Sequence, residues 1–132
     1  MPPQKPTTDL IGVRVLLLED DALINMNTVE LLEKMGCNAE GHLHLDEAWD
    51  AASRELPDVA VLDVSLHDTM TSLNLADWLH DQGVPIVFLT GYSSPTPSGK
   101  WQKHPKCEKP CDPEELKGLL QAALASGHDQ IG

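Results

Sequence analysis

The chain has 132 residues, enough for one domain with a real core and too few for two of ordinary size. Hydrophobic residues make up 41% of it, which excludes global disorder, and Trp49, Trp78, Trp101, Phe88 and Tyr92 are its only aromatic residues apart from histidine. The formal net charge of -12 excludes a phosphate-backbone footprint of clustered Lys and Arg, and suits basic partners or a bound cation.

Positions 1–10 are polar and proline-rich and hold no apolar run, so a short disordered leader is expected there, with no signal peptide. No apolar stretch approaches the roughly 20 residues that span a bilayer. A cytoplasmic protein with no membrane partner is therefore expected. Cys37, Cys107 and Cys111 contain no Cys-x-x-Cys pair, which points to free thiols in a reducing compartment. His104, Cys107 and Cys111 lie near one another in sequence. Loop and strand positions around Pro105 and Pro110 account for them better than a zinc site does.

Val13 to Leu18 is a short apolar run of the kind a buried parallel strand shows. Asp20 and Asp21 supply helix-start signals. The following helix carries Leu23, Met26, Val29, Leu32 and Met35 near one face and stops at Gly36. Asn38 to His44 reads as a weaker second strand. Asp46 is the candidate cap of a second helix, with Ala48, Trp49 and Ala52 turned inward and Pro57 beyond its end.

Val59 to Val64 is the third strand, followed by small and polar residues and a helix over about Leu73 to Asp81, bounded by Gly83. Pro85 to Thr90 is the fourth strand. Positions 91–105 contain Pro95, Pro97, Gly99 and Pro105, and leave room for an irregular or short fourth helix around Trp101. Lys106 to Lys109 is the fifth strand. Asp112-Pro-Glu-Glu115 then opens the last helix with a cap, a first-turn proline and a glutamate three residues after the cap. Leu116, Leu119, Leu120, Ala123 and Leu124 follow at helical spacing, and Gly127 closes it. The domain is expected over 11–127, with a tail at 128–132.

Strands alternating with helices imply right-handed crossovers and a parallel sheet covered on both faces. Five such units give a flavodoxin-like, doubly wound α/β fold, and the strand order 2-1-3-4-5 is the one usual for that fold class. Ligands bind such sheets at the carboxyl ends of the strands. Glu19 and Asp20 follow the first strand, Asp63 ends the third, Thr90 the fourth and Lys109 the fifth. Three carboxylates at one rim repel one another, and a hard divalent cation such as Mg²⁺ relieves that repulsion. An ionised Asp63 could then attack phosphorus, with Lys109 and the Thr90 hydroxyl on the transferred oxygens.

The pieces Val15-Leu-Leu-Leu-Glu-Asp20, Val61-Leu-Asp-Val-Ser65, Phe88-Leu-Thr-Gly91 and Lys109-Pro110 with Asp112-Pro-Glu-Glu-Leu116 occur in order, each at a strand end. Together they make the chain resemble the receiver domain of two-component response regulators from about Ile11 to Ala125. The resemblance implies a metal site of Glu19, Asp20, Asp63 and the Ser65 backbone carbonyl. It also implies Asp63 as phosphoacceptor, Thr90 as switch hydroxyl and Lys109 as the phosphate-contacting lysine. A sensor histidine kinase or histidine phosphotransfer protein would supply the phosphoryl group, and a downstream protein would read the result. No length remains for an output domain, so a signalling switch is expected rather than a metabolic enzyme or a direct transcription factor.

Three departures stand out. The loop after Asp63 reads Leu66 to Ser72 without the usual proline and glycine. Lys106 takes the place of the usual aromatic switch residue, and prolines break the segment before it. Pro85-Ile-Val-Phe-Leu-Thr-Gly-Tyr92 is similar to a subfamily run, Pro-Phe-x-Phe-Ala-Thr-Gly-Tyr, that also lacks that aromatic, which makes Tyr92 the substitute switch candidate.

His67 and Asp68 read as solvated loop, and His42, His44, His80, His104 and His128 as surface residues. A receiver segment of a hybrid kinase is one alternative. A flavin protein is disfavoured because Glu19 and Asp20 stand where a phosphate loop would be. A Mg²⁺-dependent aspartate-nucleophile hydrolase is disfavoured because Ser65 stands where its second acid would be. Sequence-selective DNA binding is not expected from nine basic residues against twenty-one acidic ones. A salt-sensitive, sequence-selective mobility shift by the phosphorylated protein would contradict this.

Overall fold

A computed structural model of the chain describes residues 9–64, 72–91, 101 and 104–129. Nine elements follow one another among them: β1 (Arg14–Leu18), α1 (Ala22–Lys34), β2 (Asn38–His42), α2 (Leu45–Arg54), β3 (Val59–Asp63), α3 (Ser72–Asp81), β4 (Ile86–Thr90), β5 (Lys106–Glu108) and α4 (Pro113–Asp129). The strands form one parallel sheet in the order β2-β1-β3-β4-β5. This is the expected flavodoxin-like arrangement. Apart from Gly91, Trp101, His104 and Pro105, the segment expected to hold the irregular helix lies outside the described residues. None of the described helices is long and apolar enough to cross a membrane.

Alternation along the strands divides the core in two. Leu16, Leu18, Ala60, Leu62, Ile86 and Phe88 face α2 and α3, where Ala48, Ala52, Leu75, Ala76 and Leu79 meet them. Trp49 and Trp78 pack on the outside of that layer, with ring centroids 5.3 Å apart. Val15, Leu17, Val59, Val61, Val87, Leu89 and Cys107 face α1 and α4 and meet Leu32, Leu116, Leu120 and Ala123.

Helix ends follow local chemistry. Asp21 caps α1, its Oδ1 accepting the Leu23 and Ile24 N–H groups at 3.0 and 3.1 Å. After α1 the chain turns at Gly36, whose φ of 97° is costly for any residue with a Cβ. Asp112 caps α4 by accepting the Glu115 N–H at 3.1 Å.

Several expectations are corrected. Leu23 and Met26 are 63% and 61% exposed, while Asn25, Thr28 and Leu32 are the buried residues of α1. The rotation lets the Asn25 side chain donate to a buried and a part-buried backbone carbonyl, which outweighs the gain from covering two apolar side chains. The cap of α2 is not Asp46: the helix starts at Leu45 after His44, with no side-chain cap bond, and Asp46 sits in the first turn, where the helix dipole favours an acid. Gly127 does not close the last helix, which continues to Asp129, so His128 and Asp129 belong to it and not to a tail.

Two histidines are half-buried rather than fully exposed. The His104 ring lies 4.6 Å from Trp101 and 5.9 Å from Phe88, centroid to centroid, and the His42 side chain is only 14% exposed. Cys107 and Cys111 are joined in a disulfide, with Cα atoms 5.8 Å apart, so Cys37 alone is a free thiol. That pairing also removes both sulfurs as zinc ligands.

The rotation of α1 is testable by truncation. Leu32→Ala, at a fully buried position, is expected to cost about 2–5 kcal/mol in denaturant unfolding. Leu23→Ala is expected to change stability by no more than about 0.5 kcal/mol. The reverse ranking would contradict the placement of the helix.

Candidate functional site

The strand register sets the rim. Leu18 pairs with Leu62, so Glu19 and Asp63 come one step later on adjacent strands. Asp63 pairs with Leu89, and Thr90 with Glu108, which places Lys109 just past the end of β5. Glu19, Asp63 and Lys109 continue the alternation of Leu17, Val61 and Cys107, on the sheet face turned to α1 and α4. Thr90 continues that of Ile86 and Phe88, on the other face.

Glu19 is fully buried and Asp63 is 1% exposed. Lys109 Nζ donates to Glu19 Oε1 at 2.9 Å and lies 3.4 Å from Asp63 Oδ2. The other Glu19 oxygen, Oε2, accepts the Asp21 N–H at 2.9 Å. Burial works to lower the Lys109 pKa. The hydrogen bond to Glu19 and the charges of Asp63 and Glu19 outweigh it, and the ammonium is held above its ordinary range.

Asp20 is half-buried and joins the group. One carboxylate oxygen from each of Glu19, Asp20 and Asp63 lies within 4.8 Å of the others. Three hard oxygen donors so close together, with Lys109 beside them, are a donor set that fits a divalent cation of the Mg²⁺ type. Thr90 is half-buried, and its carbonyl accepts the Lys109 N–H at 2.8 Å. That bond ties the lysine's backbone to the end of β4. The Lys109-Pro110 peptide is cis.

Of the residues picked from sequence, the structure brings together Glu19, Asp20, Asp63 and Lys109, and joins Thr90 to Lys109 through the backbone. Ser65 and Tyr92 lie outside the described residues, as do His67 and Asp68. Asp21 proves to be the plain cap, which leaves Glu19 and Asp20 to the rim.

Sequence reasoning missed Asn25 and Gly41. Asn25 Nδ2 donates to the carbonyls of Glu19 at 2.9 Å and His42 at 3.0 Å, stapling the end of β1 to the end of β2. A Cβ on Gly41 would stand 2.3 Å from Asn25 Oδ1 and 2.8 Å from Val29 Cγ2, so only glycine admits this contact. The available signals were an amide within an apolar stripe and a glycine inside a strand.

A family model described as the response regulator receiver domain matches residues 15–121. The transcriptional regulatory protein PdtaR of Mycobacterium tuberculosis is 33% identical over 93 residues, covering 67% of this chain and 45% of PdtaR. The crystal structure of the response regulator PhyR from Brucella abortus superposes with a TM-score of 0.77 at 25% identity, over 94% of this chain and 52% of PhyR. The solution structure of SdrG from Sphingomonas melonis Fr1 gives a TM-score of 0.76 at 28% identity, over 86% of this chain and 97% of SdrG. The chain thus spans about half the length of PdtaR and PhyR.

Removing the Lys109 ammonium should expose the cost of the cluster. Lys109→Met leaves Glu19 and Asp63 buried without it, and is expected to destabilise the protein by about 3–5 kcal/mol in metal-free buffer. Because the folded pKa of Lys109 is raised, its contribution is complete below its unfolded value of about 10.4 and fades as pH rises through the folded value. The stability gap between wild type and variant should therefore be flat at neutral pH and close only in alkali. An equally stable variant, or a gap that vanishes near neutrality, would contradict this account of the cluster.

Proposed function

From the premise that the chain belongs to the response regulator receiver domain family, we propose that it is a phosphorylation-driven signalling switch whose acceptor is Asp63. The observation that carries this reading is the pairing of an almost fully buried Asp63 with the Lys109 ammonium, 3.4 Å away, beside two further carboxylates. A buried carboxylate needs an opposite charge beside it to act as a nucleophile, and the Lys109 ammonium lies 3.4 Å away. An Asp63 oxygen attacks phosphorus in line. The new O–P bond forms as the bond to the donor's leaving group breaks, and the leaving group departs with that electron pair and takes up a proton. The transferred group brings negative oxygens into a site already rich in carboxylates, and Lys109 offsets them.

Glu19, Asp20 and Asp63 are the residues that would hold Mg²⁺, with the Ser65 backbone carbonyl as a further ligand; the ion would supply charge neutralisation of the phosphoryl oxygens. The Thr90 hydroxyl would turn toward the new oxygens, and Tyr92 would carry that movement to the surface. The donor would be a sensor histidine kinase or a histidine phosphotransfer protein, and the reader a protein partner.

Incubation with acetyl phosphate and Mg²⁺ should add one phosphoryl mass to the intact protein. Asp63→Asn should abolish the label, Asp20→Asn should weaken Mg²⁺ binding, and a chelator should stop labelling of the wild type. Equal labelling of wild type and Asp63→Asn would overturn the assignment of the acceptor. Tyr92→Ala should leave the labelling rate nearly intact.

A further inference from the structure

The Cys107–Cys111 disulfide lies against the rim, and the phosphoryl chemistry above makes no use of it. Cys107 sits on β5, fully buried and level with Leu89. Cys111 is half-buried, immediately before the cap of α4. It lines a cleft of about 300 Å³ together with Ile24, Thr28, Lys109 and Pro110. The bond spans a sequence separation of four, and Lys109 stands at the middle of the ring it closes. The covalent link therefore fixes the backbone on both sides of the residue that carries the positive charge of the site.

We propose that Cys107 and Cys111 form a reversible thiol–disulfide site, reached by small thiols through the cleft at Cys111, whose state governs how firmly Lys109 is held over Asp63. The second half of this inference rests on the phosphoacceptor reading; the first does not. A disulfide stabilises a fold chiefly by closing a long loop, and this one closes a single turn. Its local effect is the larger one. The fold around it has other ties: β5 pairs with β4, the Lys109 N–H bonds to the Thr90 carbonyl, and α4 is anchored by buried Leu116 and Leu120. Opening the bond thus frees the turn and leaves the sheet intact. Cys111 is half-buried at the cleft and Cys107 is fully buried, so exchange starts at Cys111.

A thiolate attacks Cys111 Sγ, a new S–S bond forms, and the old one breaks with its electron pair on Cys107 Sγ, which takes up a proton. A second thiolate attacks the mixed disulfide at the small molecule's sulfur and releases Cys111. Two small thiols are oxidised to a disulfide as the protein pair is reduced. A small-molecule disulfide such as oxidised glutathione runs the same steps backwards.

The test uses the full chain, treated with dithiothreitol or with oxidised glutathione and freed of reagent. Alkylation and peptide mass spectrometry should find Cys107 and Cys111 free in the first sample and joined in the second. Lys109 acylation by an amine-directed reagent should be several-fold faster in the reduced chain. Asp63 labelling by acetyl phosphate should be several-fold slower there, because a loosened contact is a misplaced one. Cys111→Ala leaves the buried Cys107 in place, and should behave like the reduced chain under both treatments. A bond that resists dithiothreitol in the folded protein, a pair that oxidised glutathione does not close, or Lys109 reactivity equal in both states would each overturn the inference. If Lys109 responds to reduction and Asp63 is labelled in neither state, the exchange site stands and the phosphoacceptor reading falls.

Discussion

The ammonium of Lys109 is the hinge of this molecule's electrostatics. It offsets Glu19 and Asp63, which lie on two other strands and are closed off from water, with Asp20 close by. Carboxylates in such surroundings keep their charge only when a cation or a set of donors keeps it for them. Here the Lys109 ammonium and the Asp21 N–H both donate to the Glu19 carboxylate. The rest of the fold can be understood as the frame that holds this arrangement: three strand ends in parallel register, two apolar layers that leave the strands no room to slide, and helix caps that turn the chain away from the rim without adding charge to its centre.

That frame is tighter on one side than hydrophobic packing alone requires. The amide of Asn25 binds the carbonyls of Glu19 and His42, and Gly41 gives it the space. A polar side chain in a helix–sheet interface is costly unless its hydrogen bonds are made. These two are made, and one of them ends on the backbone of an acid in the cluster. The rotation that leaves Leu23 and Met26 in solvent follows from the same bonds, so the exposed apolar side chains and the position of Glu19 share one cause.

The sequence made the architecture legible because parallel strands buried on both faces are short apolar runs, and such runs need no tertiary knowledge to find. Asp112-Pro-Glu-Glu115 marked its helix start for an equally local reason. The rim was legible because the acids and the lysine stand at the ends of those runs. What failed was whatever depended on a partner distant in sequence. The buried face of α1 was decided by the carbonyls at Glu19 and His42, and the His104 ring packs near Phe88 as well as Trp101. The cap of α2 failed for a local reason, because the helix begins one residue before Asp46. The disulfide failed for a different reason. A spacing of four permits many separations, and only the folded turn sets the Cα atoms at 5.8 Å, inside the usual span for such a bond.

β5 carries more of the design than its three residues suggest. Cys107 anchors it in the α1–α4 layer, while at Lys106 the Nζ donates to the His104 carbonyl at 2.9 Å. The family usually places a ring where Lys106 stands. In this chain the rings lie one layer deeper: Trp101 meets Phe88 edge to face at 5.5 Å and His104 at 4.6 Å, and Trp101 is 4% exposed. Edge-to-face contacts of this kind add specific geometry to apolar burial. They fix the approach to β5 from the α3 side, as Cys107 fixes it from the other, and a ring at position 106 is not needed to hold the strand. The edge strand is therefore clamped on both faces, and the turn that follows it delivers Lys109 to the carboxylates. A longer, looser strand here would not fix the 3.4 Å distance from Nζ to the Asp63 carboxylate.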